Sequence, residues 1–490
     1  MTATNRHSLL LLLIFSLFFL LQSCGTTDEV VVVRDAPRAD TPQVVEEEEE
    51  QFYELRVGLI DPVINFDPLF ARNLSTKRTL SLIYEGLYEL DADGEPVPVI
   101  ASGVSVSDDG LVYEITINRD IFYHDSQVFT AGLGRRIHAS DIKWAFERSA
   151  RAAVPPMGAE LLMNVRGFEN YYLEQRSVYD EQNRVLDQVN GIQVVNAETI
   201  RFELNQRDPD FLHKLASPYL FIYPREALRD DAGLIRNPVG TGPYTFNRVE
   251  NERTVVLVRS ENNRNQEGLP QINRIDLTYF DSESGLFQQF ANGNIDWIPE
   301  LGPEIAAQVA DADYQLQNAY RDSFELTAHN TERITAFYLN NRSIVNQDWL
   351  KNRLALLTEE DISLRGNISL FTDAFQLIEG AEPQEEYYVA YTDNYVARAL
   401  LTELHNLVFL PESSLAFFDI RVPTRRTSLY TQSNESFHQQ YKPIDDGFWL
   451  RLDTNILSLH HKHVEGIQAS SVPWSLHIQN IRVQDREMTP

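Results

Sequence analysis

The N-terminal apolar run is the feature that most constrains this chain. Leu9 to Leu21 is almost unbroken hydrophobic sequence, and Arg6 precedes it with no acidic residue nearby. The run is about thirteen residues long, whereas a membrane-spanning helix needs about 20. A basic start, a short apolar stretch and small residues at its end are typical of an export signal, here residues 1–23. No later run approaches membrane length, so the rest of the chain is expected to fold as a globular body in water.

Cys24 is the only cysteine, and it directly follows the predicted export signal. A single cysteine excludes an internal disulfide and a cysteine-ligated zinc or iron–sulfur site. The sequence Leu21-Gln22-Ser23-Cys24-Gly25 resembles the bacterial lipobox, whose cysteine is diacylated and becomes the mature N-terminus. We therefore predict a lipid anchor at Cys24, which places the protein in the cell envelope as a periplasmic or outer-face lipoprotein. The alternative is an ordinary signal peptide with an incidental cysteine.

Residues 24–51 differ sharply in composition from the sequence that follows them. They contain a valine patch, Val30–Val33, and an unbroken acidic run, Glu46–Glu50. Five adjacent like charges repel one another and bury no apolar surface. This segment is therefore predicted to be a lipidated acidic tether with no binding role, and the folded body is predicted to begin near Phe52.

The length and charge of the chain bound its organisation and its partners. At 490 residues the chain exceeds what one compact core usually contains, so two or three lobes are expected. Acidic residues outnumber basic ones by 72 to 42, and a surface this negative repels phosphate backbones. Nucleic acid is therefore not expected as a partner. The charge indicates either a solubilising surface or attraction of cationic ligands, and it identifies no ligand.

Residue periodicity predicts helices interspersed with short strand pairs. Residues 53–60 alternate as in a strand, and residues 74–90 place apolar side chains at helical spacing. Asp109-Gly110 and Glu250-Asn251 each separate two alternating runs, which predicts two β-hairpins. The other predicted elements are strands at 191–204, 272–280, 387–391 and 407–410, and helices capped by Ser140, at 284–292 before Gly293, and at 394–406. This mixture favours α/β lobes with mixed sheets.

Catalytic motifs are absent from the sequence. It contains no G-x-S-x-G nucleophile elbow, no H-E-x-x-H zinc motif, no G-x-x-x-x-G-K-[ST] phosphate loop, and no G-x-G-x-x-G turn. A mature body without cysteine cannot use thiol catalysis. We therefore predict a protein that is not an enzyme and carries no cofactor.

The sequence His460-His461-Lys462-His463 is the densest group of metal-ligand residue types. In a strand, His461 and His463 would point to one side and share a metal ion. Lys462 between them and the lack of a fourth ligand favour the other interpretation, a polar turn near the end of a strand. No metal site is predicted.

Four segments resemble, in sequence order, the bacterial extracellular solute-binding proteins that serve peptide, nickel and opine importers. They are Tyr84-Glu85-Gly86-Leu87 with residues 90–131, the NPVGTGPYTF stretch at 237–246, residues 272–297, and residues 336–357. The resemblance covers about 53–357. Two departures stand out: Ser126 replaces the family's glycine after His124-Asp125, and residues 130–141 look like an insertion.

Gly240 and Gly242, in the second of these segments, flank Thr241 where the chain is expected to turn tightly. We interpret this motif as structural rather than ligand-binding. The same interpretation applies to Tyr84, Glu85 and Gly86, which are expected to organise the first lobe.

The resemblance implies a periplasmic-binding-protein-like α/β fold, with two lobes of mixed sheets around a cleft. The first lobe is expected to be discontinuous, residues 52–320 and 445–483, with residues 91–215 as an extra subdomain. The second lobe, residues 321–444, is expected to be reduced, because 358–442 is roughly half the size usual in the family. Peptide-clamping residues of the family lie largely in the missing part, so none is carried over.

The resemblance also implies where a ligand would bind. In the family the loop after the first strand faces the ligand, and here that loop contains Asp61, Val63 and Asn65. The second lobe offers Tyr338, Asn340, Asn341 and Trp449, although Asn340-Asn341 also fits a simple turn. Trp297 is another candidate for stacking on a ligand, but tryptophan is more often part of a core.

The function implied is that of a monomeric substrate-binding lipoprotein, which delivers a peptide or other small-molecule ligand to ABC permease subunits and catalyses nothing. The main alternative is a non-transport envelope protein that uses the same fold to bind a partner. A cell-envelope hydrolase is the third possibility, and the absent catalytic motifs count against it.

Overall fold

The computed structural model describes residues 52–63, 65–178, 180–228, 237–260, 270–311, 314–329, 456–468, 470 and 472–484, together with the strands 334–339, 368–370, 387–391, 407–411 and 448–454. Phe52 begins a compact unit that continues to Pro490. The predictions for the export signal, for Cys24 and for the tether lie outside the described residues.

Twenty strands form six sheets among the described residues. In chain order they are β1 (Glu54–Leu59), β2 (Tyr88–Leu90), β3 (Pro96–Pro98), β4 (Ala101–Val106), β5 (Val112–Ile117), β6 (Ile192–Asn196), β7 (Thr199–Glu203), β8 (Tyr244–Glu250), β9 (Thr254–Arg259), β10 (Arg274–Tyr279), β11 (Trp297–Ile298), β12 (Phe324–His329), β13 (Ile334–Leu339), β14 (Ile368–Leu370), β15 (Tyr387–Tyr391), β16 (Leu407–Pro411), β17 (Phe448–Thr454), β18 (Ile456–His461), β19 (Val464–Glu465) and β20 (Arg482–Val483). Seven α-helices accompany them in the same part of the chain: α1 (Leu74–Ile83), α2 (Ala139–Arg148), α3 (Met157–Glu160), α4 (Phe168–Ser177), α5 (Phe211–Leu215), α6 (Glu283–Ala291) and α7 (Pro303–Val309).

The largest sheet has seven strands in the order β12-β18-β11-β1-β10-β9-β8. β1 pairs in parallel with β10 and β11, whereas β9 and β18 run antiparallel to their neighbours. The sheet is therefore mixed, as predicted. It contributes to two hydrophobic cores: Leu55 and Val57 of β1 lie in one, and Leu457 and Leu459 of β18 lie in the other, with α6 and α7.

Both predicted hairpins are confirmed. β4 and β5 pair antiparallel, and Gly110 between them has a φ of 71°, a left-handed conformation that glycine adopts without strain. β8 and β9 pair antiparallel around Asn251, which has a φ of 51°. β5 also pairs with β7, and β7 with β6, so the first hairpin belongs to a four-stranded sheet of order β4-β5-β7-β6 within residues 101–203.

The helix predicted over residues 74–90 is wrong in its second half. α1 begins after Asn73, whose side-chain oxygen accepts a hydrogen bond from the Thr76 N–H at 2.8 Å, and it ends at Ile83. Tyr84 and Leu87 lie beyond the helix but remain buried in the same core. The apolar spacing therefore continues where the helix does not, because the extended chain that follows buries the same kind of side chain.

The cap predicted for α2 is also wrong. The helix starts at Ala139, one residue before Ser140, and the Asp141 carboxylate accepts a hydrogen bond from the backbone N–H of His138 at 2.9 Å. The predicted end of α6 is confirmed, since Gly293 follows it with a φ of 75°.

The remaining strands lie in smaller sheets. β13, β17 and β14 form an antiparallel sheet, and β15 pairs in parallel with β16, as a strand–helix–strand unit would require. The helix predicted at 394–406 lies outside the described residues. Strand pairing puts β12 in the seven-stranded sheet and β17 in the three-stranded one, so the chain passes between sheets after His329 and before Ile456. The predicted lobe boundaries at 320/321 and 444/445 stay a prediction.

Candidate functional site

The carboxyl ends of β1, β10, β11 and β12 meet at one edge of the seven-stranded sheet, because these strands run in the same direction. In α/β sheets, ligands bind preferentially at this edge. The loop after β1 emerges here, and so does the segment that leaves the sheet at His329. We therefore place the candidate site at this edge.

The loop after β1 is shaped by its own polar groups. Asp61, Val63 and Asn65 are all half-buried. The Asn65 side-chain oxygen accepts a hydrogen bond from the backbone N–H of Asp67 at 2.9 Å, and Asn73 Nδ2 donates to the Pro62 carbonyl at 2.8 Å. Asn65 therefore forms a turn in addition to any contact it makes with a ligand.

Two strand pairs mark the passage between the sheets. His329, the last residue of β12, pairs with Ile456, the first residue of β18, and Ile334 of β13 pairs with Asp453 of β17. The chain that leaves the seven-stranded sheet after His329 and the chain that returns to it at Ile456 are therefore neighbours in both sheets.

The ladder between β13 and β17 brings two predicted site residues together. Tyr338 and Trp449 are direct cross-strand partners in it. Residues in such a pair lie on the same face of a sheet. Asn340 and Asn341, which follow β13 in the sequence, lie outside the described residues.

Trp297 belongs to the core rather than to an open binding surface. Its side chain is buried, and its Nε1 donates a hydrogen bond to Ser458 Oγ at 2.7 Å. The alternative interpretation of this tryptophan, as a core residue, is therefore confirmed.

A small cavity of about 40 Å³ lies beside Thr327 of β12 and Ser458 of β18. Arg78 of α1 lines it, and its guanidinium donates to Glu300 Oε2 at 2.8 Å and to the Pro473 carbonyl at 2.9 Å. Both ionised side chains are buried. The cavity has room for a few water-sized groups but not for a whole peptide.

The sequence motifs converge at the end of α1. His124 Nε2 lies 2.8 Å from the Gly242 carbonyl, and the His124 N–H donates to the Gly240 carbonyl at 2.8 Å. Thr241 Oγ1 donates to Glu85 Oε2 at 2.8 Å. These contacts join two of the four resembling segments, the one with Glu85 and His124 and the one with Gly240 and Gly242, which supports the interpretation of these residues as structural.

The histidine sequence lies at the opposite edge of the sheet. His461 Nε2 is 2.8 Å from the Phe290 carbonyl, and His463 Nε2 is 3.1 Å from the carboxylate of Asp296. Burial would raise the pKa of Asp296, but hydrogen bonds from His463 and Arg56 outweigh it and hold that pKa well below its usual range. Among the residues that the structure describes, no group of three or more metal-ligand side chains occurs.

One ion pair near the candidate site was not predicted from the sequence. Asp67, two residues after Asn65, forms a buried ion pair with Arg148 at the end of α2. The two residues are 81 positions apart, and no motif links them. The only signal was an Asp-Pro step at Asp67-Pro68, which predicts a turn but not a buried carboxylate.

Comparisons with known proteins agree on one family. The family model "Bacterial extracellular solute-binding proteins, family 5 Middle" matches residues 95–379, more than half of the chain. Glutathione-binding protein GsiB of Salmonella choleraesuis is 27% identical over 212 residues, 43% of this chain and 35% of the relative. Di/tripeptide-binding protein 4 of Pseudomonas aeruginosa is 27% identical over 167 residues, 33% of this chain and 28% of the relative. The matched segment thus spans about a third of each relative's length.

The fold is shared more widely than the sequence. The ABC transporter-associated periplasmic binding protein DppA from Helicobacter pylori, solved with the peptide STSA, superposes with a TM-score of 0.63 at 13% identity. The superposition covers 89% of this chain and 99% of that one. In the described part of this chain, no helix is long and apolar enough to cross a membrane. The fold is that of the periplasmic binding proteins, and the chain belongs to family 5 of the bacterial extracellular solute-binding proteins.

Proposed function

We propose that this protein is the substrate-binding lipoprotein of an ABC-type importer and binds a peptide or a similar small solute in a cleft between two lobes. It is a binding protein without catalysis, anchored through Cys24 in the cell envelope and presented as a monomer to the permease subunits. Family membership supports the binding function, and relatives named for glutathione and for di- and tripeptides support the ligand class.

The observation that best supports this proposal is that the chain crosses twice between the seven-stranded and the three-stranded sheet, at neighbouring positions. Four residues separate His329 from Ile334, and one separates Thr454 from Ile456. Two short, adjacent connections at one sheet edge are the arrangement that hinged closure around a ligand requires. The loop with Asp61, which emerges at that same edge, would then face the second lobe across the cleft.

The ligand contacts that we propose come from both sides of that cleft. Asp61, Val63 and Asn65 would contribute from the first lobe, and a carboxylate beside an amide suits the amine and amide groups of a peptide. Tyr338, Asn340, Asn341 and Trp449 would contribute from the second. An extended peptide would be held mainly through its backbone, with its side chains in wet pockets.

A thermal-shift screen of the mature protein, residues 24–490 without the lipid, tests the proposal. The probes are trialanine, reduced glutathione and, as a nonpeptide control, maltose. A ligand present at 100 times its Kd stabilises the folded protein by about 2.7 kcal/mol, so a true ligand raises the melting temperature in a concentration-dependent way.

Three outcomes separate the candidate functions. A shift with trialanine or glutathione supports the peptide-binding proposal, whereas a shift with maltose alone contradicts the ligand class. If no probe raises the melting temperature and the protein lipidated at Cys24 captures an envelope protein, the non-transport alternative is favoured.

A further inference from the structure

A buried ion pair lies directly behind the loop that follows β1. Asp67 has none of its side chain exposed and Arg148 has 1%. Arg148 Nη1 donates to Asp67 Oδ1 at 3.0 Å, and Nη2 donates to Oδ2, so the pair is bidentate. Arg148 Nη1 also donates to the Tyr223 hydroxyl at 2.6 Å, with its guanidinium 5.3 Å from the centre of that ring. Planar, bidentate pairing of this kind fixes orientation as well as distance.

The same carboxylate holds the turn that ends the loop. Asp67 Oδ1 accepts a hydrogen bond from the Leu69 N–H at 3.1 Å, while the Asp67 N–H donates to the Asn65 side chain at 2.9 Å. One residue earlier, the Tyr84 hydroxyl donates to the Phe66 carbonyl at 3.1 Å. Three consecutive residues are therefore fixed, and the position of Asn65 depends on that of Asp67.

The other partner comes from the segment predicted to be an extra subdomain. Arg148 is the last residue of α2, and α2 packs against β6 and β7 of the four-stranded sheet. The ion pair thus joins residues 91–215 to the loop at the candidate site. Burial raises the pKa of Asp67 although the pair with Arg148 opposes the shift, so its ionised form depends on that arginine.

We propose that Asp67 and Arg148 are positioning residues, through which the 91–215 segment sets the shape of the ligand-facing loop and hence ligand affinity. The affinity part rests on the proposed function, whereas the loop-shape part does not. Neither residue is expected to touch the ligand, since both side chains are sealed inside the first lobe.

The loop-shape part is tested by amide hydrogen exchange in the unliganded mature protein. Arg148→Met removes the charge and the donors but keeps a long side chain, and Arg148→Lys restores the charge without the bidentate geometry. Arg201→Met is the matched control, because it breaks the Arg201–Glu114 pair on the surface of the four-stranded sheet.

In Arg148→Met, the amides of Asp67 and Leu69 should exchange at least tenfold faster, while those of β1 and α2 stay protected. Arg148→Lys should restore part of the protection, and Arg201→Met should change neither amide. Uniformly faster exchange across the lobe, or no change at Asp67 and Leu69, would overturn the proposal. Should Arg148→Met fail to fold, Asp67→Asn breaks the same charged pair and is read at the amide of residue 67 alone, because its side-chain oxygen can still accept a hydrogen bond from the Leu69 N–H.

The affinity part uses trialanine and reduced glutathione as the probes. Whichever of them binds the parent protein should bind Arg148→Met at least tenfold more weakly, with Arg148→Lys in between. If the amides of Asp67 and Leu69 exchange faster in Arg148→Met but the probe binds with unchanged affinity, the ion pair has no role in ligand recognition. If neither probe binds the parent, the proposed peptide-binding function fails, and the exchange result still decides whether the pair positions the loop.

Discussion

Replacing Gly240 by alanine tests the close approach that joins the sequence motifs. An added Cβ would lie 2.0 Å from the carbonyl oxygen of Ile83 and 2.9 Å from Cδ1 of Tyr84. Ordinary contact distances begin near 3.4 Å, so the two segments would have to separate by about 1.4 Å. The φ angle of Gly240 lies outside the left-handed region, so the conflict is one of space and not of backbone conformation.

The size of the effect follows from the hydrogen bonds that such a separation breaks. The Gly242 N–H donates to the Ile83 carbonyl at 2.9 Å, the His124 N–H donates to the Gly240 carbonyl at 2.8 Å, and His124 Nε2 lies 2.8 Å from the Gly242 carbonyl. At about 1 kcal/mol each, losing all three lowers the free energy of unfolding by about 3 kcal/mol. The unit from Phe52 to Pro490 has about 440 residues, and at about 2.1 cal/mol/K of unfolding entropy per residue this corresponds to a melting temperature roughly 3 °C lower.

Circular dichroism melting of the parent and two variants measures this effect. Gly103→Ala is the matched control, because a Cβ at Gly103 would have no atom within 4 Å, and we expect its stability to change by less than about 0.5 kcal/mol. If Gly240→Ala melts at the same temperature as Gly103→Ala, the two segments do not approach as closely as described, and the structural interpretation of the motif is wrong.

Three further predictions concern the anchor, the cleft and the far edge of the sheet. Cys24→Ser should abolish metabolic labelling with palmitate and release the protein from membranes, whereas equal labelling of parent and variant would contradict the anchor. Asp61→Ala combined with Asn65→Ala should weaken any ligand found in the screen at least tenfold, about 1.4 kcal/mol, as measured by calorimetric titration; unchanged affinity removes this loop from the site. Because the folded-state pKa of Asp296 lies below its unfolded value near 3.9, its ionised form stabilises the fold above about pH 4, and this stability is lost as the pH falls further. Asp296→Asn should therefore melt at a lower temperature at pH 7 and lose less stability than the parent below pH 4. If the melting temperatures of the two proteins fall equally with pH, this reasoning is wrong.

Local sequence rules predicted the elements whose signals are local. Asp109-Gly110 marks a hairpin because glycine takes the left-handed conformation there, and Gly293 ends α6 for the same reason. Strand periodicity located β1 and β10 to within two residues. The prediction failed at Tyr84 and Leu87, where burial continues after the helix has ended, since apolar spacing reports burial and not hydrogen bonding.

Contacts between distant segments were beyond the reach of these rules. The Asp67–Arg148 pair spans 81 positions, and the pair formed by Arg78 and Glu300 spans 222. Each is an ordinary charged residue in the sequence, where charged side chains are expected at the surface. Segments that are far away in the sequence surround them, as Pro473 does for Arg78. The sequence therefore could not predict what holds the loop in place.

The arrangement of the motifs explains why they identify the family more readily than the ligand. Glu85, His124 and Gly240 meet at the end of α1, where a Cβ has no room and hydrogen bonds cross between segments. Substitutions there cost stability whatever the ligand is. The loop with Asp61 lies at the carboxyl edge of the sheet, where half-buried side chains can change without breaking those contacts. Ligand preference can therefore change through substitutions in that loop, while the buried carboxylate of Asp67 keeps the loop backbone in place. Variants of Asp61 should alter which ligand binds, and variants of Asp67 should alter how tightly every ligand binds.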